Sequence, residues 1–464
     1  MMPTSTITLK EKNDTRSVKV RRMTVYQQSR IVETIDDTNE IFYVFFHQDK
    51  YLNYVPAKKV TKHSHAAKAF KQGVVLYPPH PLIETVISEQ PHYKKQSFND
   101  LFKKLQKQHS LQETALIASY FESFIKKANL IQFIKNLYYE ERRDGKLLSC
   151  YRILHVLKDM APENSLVDTF SSDLQFTRYD ELYKNEDQAT LAKDPIYVEK
   201  HLYLEKDHDE SFQKLSAFYN DRSRWIDLVV LYTARIAHAK KPEDFASFHI
   251  LIGEHFDEPG KLAILEDLYK RLPDFAPLQQ QLLTSYLNDG KVEAVLTLIT
   301  QHSIKLAPPQ SQQLFTLVKQ NKISTEMTPE ALQNLVLTIF EAKDDQAEDI
   351  LHQSLNSLLS EHDITYIQEW AAPFKEIPKA KPLLKKIDEM HRITEDPNEQ
   401  RRLGELYHFF HQPKQAIECM SWDMELRTDD PEPVQWLAKL YHELGMDDEH
   451  KAYQQLYIDM VKRA

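Results

Sequence analysis

Seven glycines in 464 residues leave this chain few places where the backbone can take a positive φ. Average usage of about 7% would supply several times as many. Two-residue hairpin turns and Gly-rich phosphate cradles both depend on such positions, so the chain has little capacity for either. It is rich instead in Leu, Gln, Glu, Lys and Ala, which favour helix. The sequence therefore predicts a mainly α fold.

The length exceeds what one hydrophobic core organises, and roughly two to four domains are expected. The longest apolar run, Ile41 to Phe46, falls far short of the roughly 20 residues that span a bilayer. Met1 to Asn13 holds no apolar core of the signal-peptide kind. Cys150 and Cys419 are far apart and belong to no paired motif, as expected of buried, inert thiols in a reducing compartment. A cytoplasmic protein with no membrane contact is the expectation.

The net charge of −10 conceals an asymmetry. Residues 1–145 hold 23 Lys and Arg against 15 Asp and Glu, and the remainder is strongly acidic. These charges do not cluster as a nucleic-acid footprint does, so nucleic acid is not an expected partner.

Along the chain, β-branched and aromatic runs with polar breaks predict a meander of strands over roughly 15–77, closed by Pro78, Pro79 and Pro81. This gives a small β-rich N-terminal domain over 1–80. From Ser97 the apolar period changes to that of helices, with Leu101, Phe102 and Leu105 opening a helical region over 95–160. Residues 161–209 show no clear period and read as an irregular linker or hairpin carrying a domain boundary.

Beyond Glu210 a repeat emerges. Leu403-Gly404-x2-Tyr407 is followed by Ala416-x3-Met420, and Leu437, Ala438 and Tyr441 recur thirty-four residues later. Weaker copies are Ile252-Gly253-x2-Phe256 with Tyr269 and Pro277, Leu215-Ser216-x2-Tyr219 with Tyr232, and Leu282-Leu283-x2-Tyr286 with Gly290. On these residues the chain resembles the tetratricopeptide-repeat family over roughly 210–300 and 397–464. It departs from the family in lacking the tryptophan of the motif and in having Leu265 where a small residue stands. Residues 300–395 keep helical periodicity, as in Leu332, Leu335 and Ile339, without a clean copy.

The resemblance implies a TPR-like α-solenoid over 210–464, in which each hairpin buries its apolar face against its neighbours. It further implies that peptides lie in a concave groove against first-helix side chains. Those positions are Asn398, Arg401, Glu405, His408 and Phe409 in one copy and Glu432, Gln435, Lys439, His442 and Glu443 in the next. Arg401 and Lys439 are then placed to take a carboxylate. In the Gly253 copy the same positions are Ser247, Ile250, Glu254, Asp257 and Glu258, an acidic wall.

Motifs for chemistry are missing. There is no G-x-x-x-x-G-K-[ST], G-x-G-x-x-G, H-E-x-x-H or G-x-S-x-G sequence. His63-x-His65, with His80 and His92 beyond, lacks metal-site spacing, and no metal or other cofactor is expected. Asp344-Asp345 and Asp447-Asp448-Glu449 read as helix starts or surface charge. Tyr138-Tyr139 and Phe409-Phe410 should each turn one ring away from the core. The function expected is a non-catalytic scaffold for a protein or peptide partner. The alternatives are a peptide-sensing regulatory module whose basic N-terminal half engages a regulator or nucleic acid, and an enzyme whose site no motif reveals.

Overall fold

A computed structural model describes residues 5–463, apart from 13, 58, 89, 171–173, 186–190, 321–327 and 342–346. Asp344 and Asp345 therefore lie outside the described residues. The chain divides into two compact units, Met1–Leu278 and Gln279–Ala464. It is mainly α with a small N-terminal sheet, as the scarcity of glycine implies.

The first unit opens with strands β1 (Thr6–Glu11), β2 (Asp14–Tyr26), β3 (Ser29–Ile35), β4 (Ile41–His47) and β5 (Lys50–Pro56), all antiparallel to their neighbours. Helix α1 (His65–Gln72) leads into β6 (Val74–Leu76), which pairs with the end of β2. Helix α2 (Pro81–Ile87) follows, and β7 (Tyr93–Lys94) adds in parallel to β1. The alternation in Thr6-Ile7-Thr8-Leu9 buries Ile7 and Leu9, so the sheet begins before the predicted meander. The return from α1 to β6 needs Gly73, where a Cβ would come within 2.5–2.7 Å of Ala69 O, Val25 O and Thr24 Oγ1.

Ser97 starts the helical region by capping α3 (Phe98–Gln108), its hydroxyl accepting from the Asp100 N–H at 3.2 Å. Helices α4 (Leu111–Ser119), α5 (Lys127–Arg143) and α6 (Leu147–Met160) then pack on one another. The sheet does not end in a core of its own at residue 80. Phe45 packs on Phe121 with centroids 4.8 Å apart, and one apolar cluster runs from Tyr26 through α3–α6 to Leu231.

The stretch expected to be an irregular linker or hairpin is, in its described residues, helical and folded into this unit. It forms helices Ser165–Phe170, Leu174–Lys184 and Pro195–Leu204, and buries Phe176, Tyr183 and Tyr203. Its weak apolar period has a physical reason: two of its interior anchors are carboxylates, Asp194 and Glu199, both at most 2% exposed. Buried acids paired with arginines carry no hydropathy signal. The unit boundary accordingly falls near residue 278 and not within 161–209.

The second unit is helical throughout its described residues, with 3₁₀ turns at Ala372–Phe374 and Pro397–Glu399. Its last four helices, Gln400–Phe409, Pro413–Leu426, Pro431–Glu443 and Asp447–Arg463, form two successive hairpins. At Gly404 an added Cβ would meet Met420 Cε at 2.9 Å, Cys419 Cβ at 3.2 Å and Ala416 O at 3.3 Å. The small residue thus permits close helix approach, as its place in the repeat implied. Gly253 occupies the same place in the weaker copy, yet only Lys261 Cδ lies within 4.0 Å of its built Cβ. That copy matches in letters and not in packing.

Candidate interaction surface and interior cavities

The expected groove residues, Asn398 apart, stand on the first helices of the two last hairpins, where Arg401 meets Glu432 and His408 meets Glu443. Arg401 Nε donates to Asp423 at 2.9 Å, and its other nitrogens pair with Asp430 and Glu432. With three carboxylates around it, Arg401 is a structural hub and not an open cation awaiting a ligand. Glu405 takes a 3.0 Å hydrogen bond from Arg402, and His408 Nε2 lies 2.9 Å from Glu443. Asn398 sits in the 3₁₀ turn ahead of the first helix, its carbonyl accepting from Arg427 at 2.8 Å. The two anionic residues of the second copy, Glu432 and Glu443, thus answer Arg401 and His408 of the first.

Of the ten expected residues on these two copies, seven are exposed: Asn398, Phe409, Glu432, Gln435, Lys439, His442 and Glu443. Gln435, Lys439 and His442 recur at i, i+4 and i+7, one face of the helix Pro431–Glu443. Lys439 Nζ lies 4.5 Å from the Trp436 ring centre. Phe409 is exposed while Phe410 is fully buried, and Tyr139 is exposed while Tyr138 is buried. Lys386 caps the Phe409 ring at 3.8 Å. Upstream, Ile250 stands exposed on the helix Pro242–His255, while Asp257 caps the next helix through the Gly260 N–H at 3.0 Å. Asp447, Asp448 and Glu449 occupy the first turn of the last helix, where its dipole favours anions.

Sequence reasoning missed the apolar residues around these positions. Of thirteen exposed large apolar residues among the described ones, eight lie between Phe409 and Val461. Trp422 and Leu426, each 53% exposed, share one face of the helix Pro413–Leu426. Leu444 and Met446 flank the final turn, and Leu456, Ile458 and Val461 are exposed on the last helix. A signal existed: Leu456 and Ile458, two residues apart, cannot both face one core on a helix.

The first unit has a polar interior of another kind. Arg224 donates to Glu199 at 2.5 and 2.9 Å and to Asp227 at 2.9 Å. Asp227 also accepts from Arg30 of β3 at 3.1 Å, and Glu199 accepts from Gln28 at 2.9 Å and Tyr219 at 3.1 Å. Asp194 accepts from Gln112 at 2.9 Å, Tyr183 at 2.7 Å and the Tyr197 N–H at 3.1 Å. Two cavities adjoin these networks. One, of about 310 Å³, is bordered by Tyr26, His65, Lys68, Glu122 and Lys200; the other, of about 280 Å³, by Gln48, Glu113, Glu141, Lys193 and Arg222.

The histidines noted in the sequence do not gather. His63 and His92 are exposed, His80 caps α2 through the Leu82 N–H at 3.1 Å, and His65 lies 2.7 Å from Ser29. Burial, with Lys68 adding to it, lowers the His65 pKa to about 3. A different trio, His47, His109 and Glu113, brings three donor atoms within 4.8 Å of one another. Both thiols are buried, and burial pushes Cys150 up to about 11 and Cys419 up to about 12. No described helix is long and apolar enough to cross a membrane.

No protein-family model matches the chain, and no curated protein matches it either. Among solved structures, Naa15/Naa10 bound to HypK-THB aligns with 79% of this chain at 10% identity and a TM-score of 0.21. The alignment spans 61% of that chain's length. A circular tandem repeat protein with novel repeat topology and enhanced subunit contact surfaces aligns over 78% of this chain and 74% of its own, at 13% identity and a TM-score of 0.08. Similarities this distant leave fold and function to be read from the chain's own residues.

Proposed function

We propose that the chain is a non-catalytic scaffold, a TPR-like α-solenoid over its C-terminal part that binds a partner protein or peptide through its last two hairpins. The observation that carries this reading is the concentration of exposed apolar side chains between Phe409 and Val461. Exposed apolar side chains that join into one patch accompany interaction sites, and on this reading those of the last helices do so. Aromatic side chains such as Trp422 and Phe409 belong to the residue types enriched at protein interfaces. Gln435, Lys439 and His442 supply a polar rim, while the Arg401 hub holds the two hairpins in register.

Co-purification from the native cell tests the reading. Trp422→Asp with Leu426→Asp, both at exposed positions, should remove a stoichiometric protein partner while leaving the fold intact by circular dichroism. Lys439→Ala with His442→Ala should weaken the same partner by roughly tenfold, the scale of one or two rim contacts. An unchanged set of captured proteins in both variants would falsify the assignment of the surface.

A further inference from the structure

The first unit holds a group of side chains that the scaffold reading does not use. His47 ends β4, His109 closes α3, and Glu113 lies in the first turn of α4. The Ser110 hydroxyl caps that turn by accepting from the Glu113 N–H at 3.2 Å, which fixes the carboxylate's starting point. Glu113 Oε1 lies 3.0 Å from His47 Nε2, and Oε2 lies 3.0 Å from His109 Nδ1. The two imidazoles meet edge to face, with planes at 87° and centroids 5.7 Å apart.

We propose that His47, His109 and Glu113 form a binding site for one divalent transition-metal ion of the zinc class. Two imidazole nitrogens and a carboxylate oxygen suit Zn2+, and also Co2+, better than the all-oxygen shells that Ca2+ and Mg2+ prefer. Tetrahedral ligands about 2.0–2.2 Å from an ion are about 3.4 Å from one another. The trio is already within 4.8 Å in every pair, so small side-chain rotations suffice. The carboxylate now bridges the two rings, and an ion between the three groups replaces those two hydrogen bonds with coordination.

The surroundings fit as well. His47 is 3% exposed, and its other nitrogen, Nδ1, lies 3.2 Å from the buried Tyr120 hydroxyl. A histidine ligand is commonly oriented by a hydrogen bond on its second nitrogen, which leaves the first free of a proton for the ion. Glu113 borders the cavity of about 280 Å³. Three protein ligands leave one position of a tetrahedral shell for water or a small ligand atom.

The test uses the purified full-length chain, stripped with chelator and titrated with Zn2+ by calorimetry and with Co2+ by visible absorption. One ion per chain is expected, with a Co2+ spectrum of low-coordinate character. His109→Ala and Glu113→Gln should each weaken binding at least tenfold, while His92→Ala, at an exposed position, should not. X-ray absorption on the zinc-loaded wild type needs no variant and should show scattering from two imidazoles. Absence of binding, a zinc shell without imidazole, or affinity unaltered in both variants would overturn the proposal.

Discussion

Arg30 of β3 and Asp227 of the helix Trp225–Ala239 are separated by 197 residues in the chain and meet at 3.1 Å in the interior, with side chains 1% and 2% exposed. Their contact joins the sheet to a late helical hairpin within the first unit. Removing one member leaves the other charge buried without its partner, which costs about 3–5 kcal/mol. Asp227→Ala leaves Arg30 with Asp49 and Arg224 with Glu199 as their remaining partners, so the loss should lie near or below the lower end of that range. Denaturant unfolding should show the loss, and a change under about 1 kcal/mol would mean that the pair stabilises little.

Gly404 and Gly253 separate a packed repeat from a repeat in letters only. Gly404→Val drives side-chain atoms into Met420, Cys419 and Ala416 and should cost about 1–3 kcal/mol. Gly253→Ala meets open space and should be neutral or stabilise by up to about 1 kcal/mol through helix propensity. Thermal melts of the two variants should move in opposite directions or differ clearly in size.

Arg401 is expected to matter for stability before it matters for binding. Arg401→Ala leaves the fully buried Asp423 with only Arg427, 3.5 Å away, and should cost about 2–3 kcal/mol. Arg401→Lys should recover little, because one ammonium cannot reach three carboxylates as a guanidinium does. If Arg401→Ala abolished partner binding at unchanged stability, the hub would instead be part of the contact.

Acid should weaken the first unit in a defined window. The His65 imidazole titrates near 6.5 in an unfolded chain, while its folded value is lowered to about 3 by burial and, secondarily, by Lys68. Between these values the unfolded chain takes up a proton that the folded one refuses. The group's contribution is therefore complete above about pH 6.5 and drains away as pH falls. His80 shifts in the same direction, to about 4, chiefly through burial and despite Asp267. His65→Gln should flatten stability against pH between 6.5 and 4, and an unaltered slope would show that the ring is solvated.

What the sequence disclosed depended on the kind of force holding each part. The strands announced themselves because Ile41 to Phe46 and Val74 to Leu76 are apolar and β-branched or aromatic. The last hairpins were legible because close helix packing demands a small residue at 404. The region around Asp194 and Glu199 was not, because its anchors are polar and the Glu199 partners Arg224, Tyr219 and Gln28 lie elsewhere in the chain. The same limit hid the His47, His109 and Glu113 trio, whose members come from three different elements. Lys439 was found exposed where the repeat placed it, while Arg401 was enclosed by acids that the helix-face argument did not count.

The most direct test of the scaffold reading is site-specific photo-crosslinking in the source cell, with the reactive residue placed at Trp422, at Lys439 or, as a control, at exposed Leu174. The reading predicts one shared protein adduct from positions 422 and 439 and none of that protein from 174. The same adducts from all three positions, or no protein adduct from 422 and 439, would contradict it.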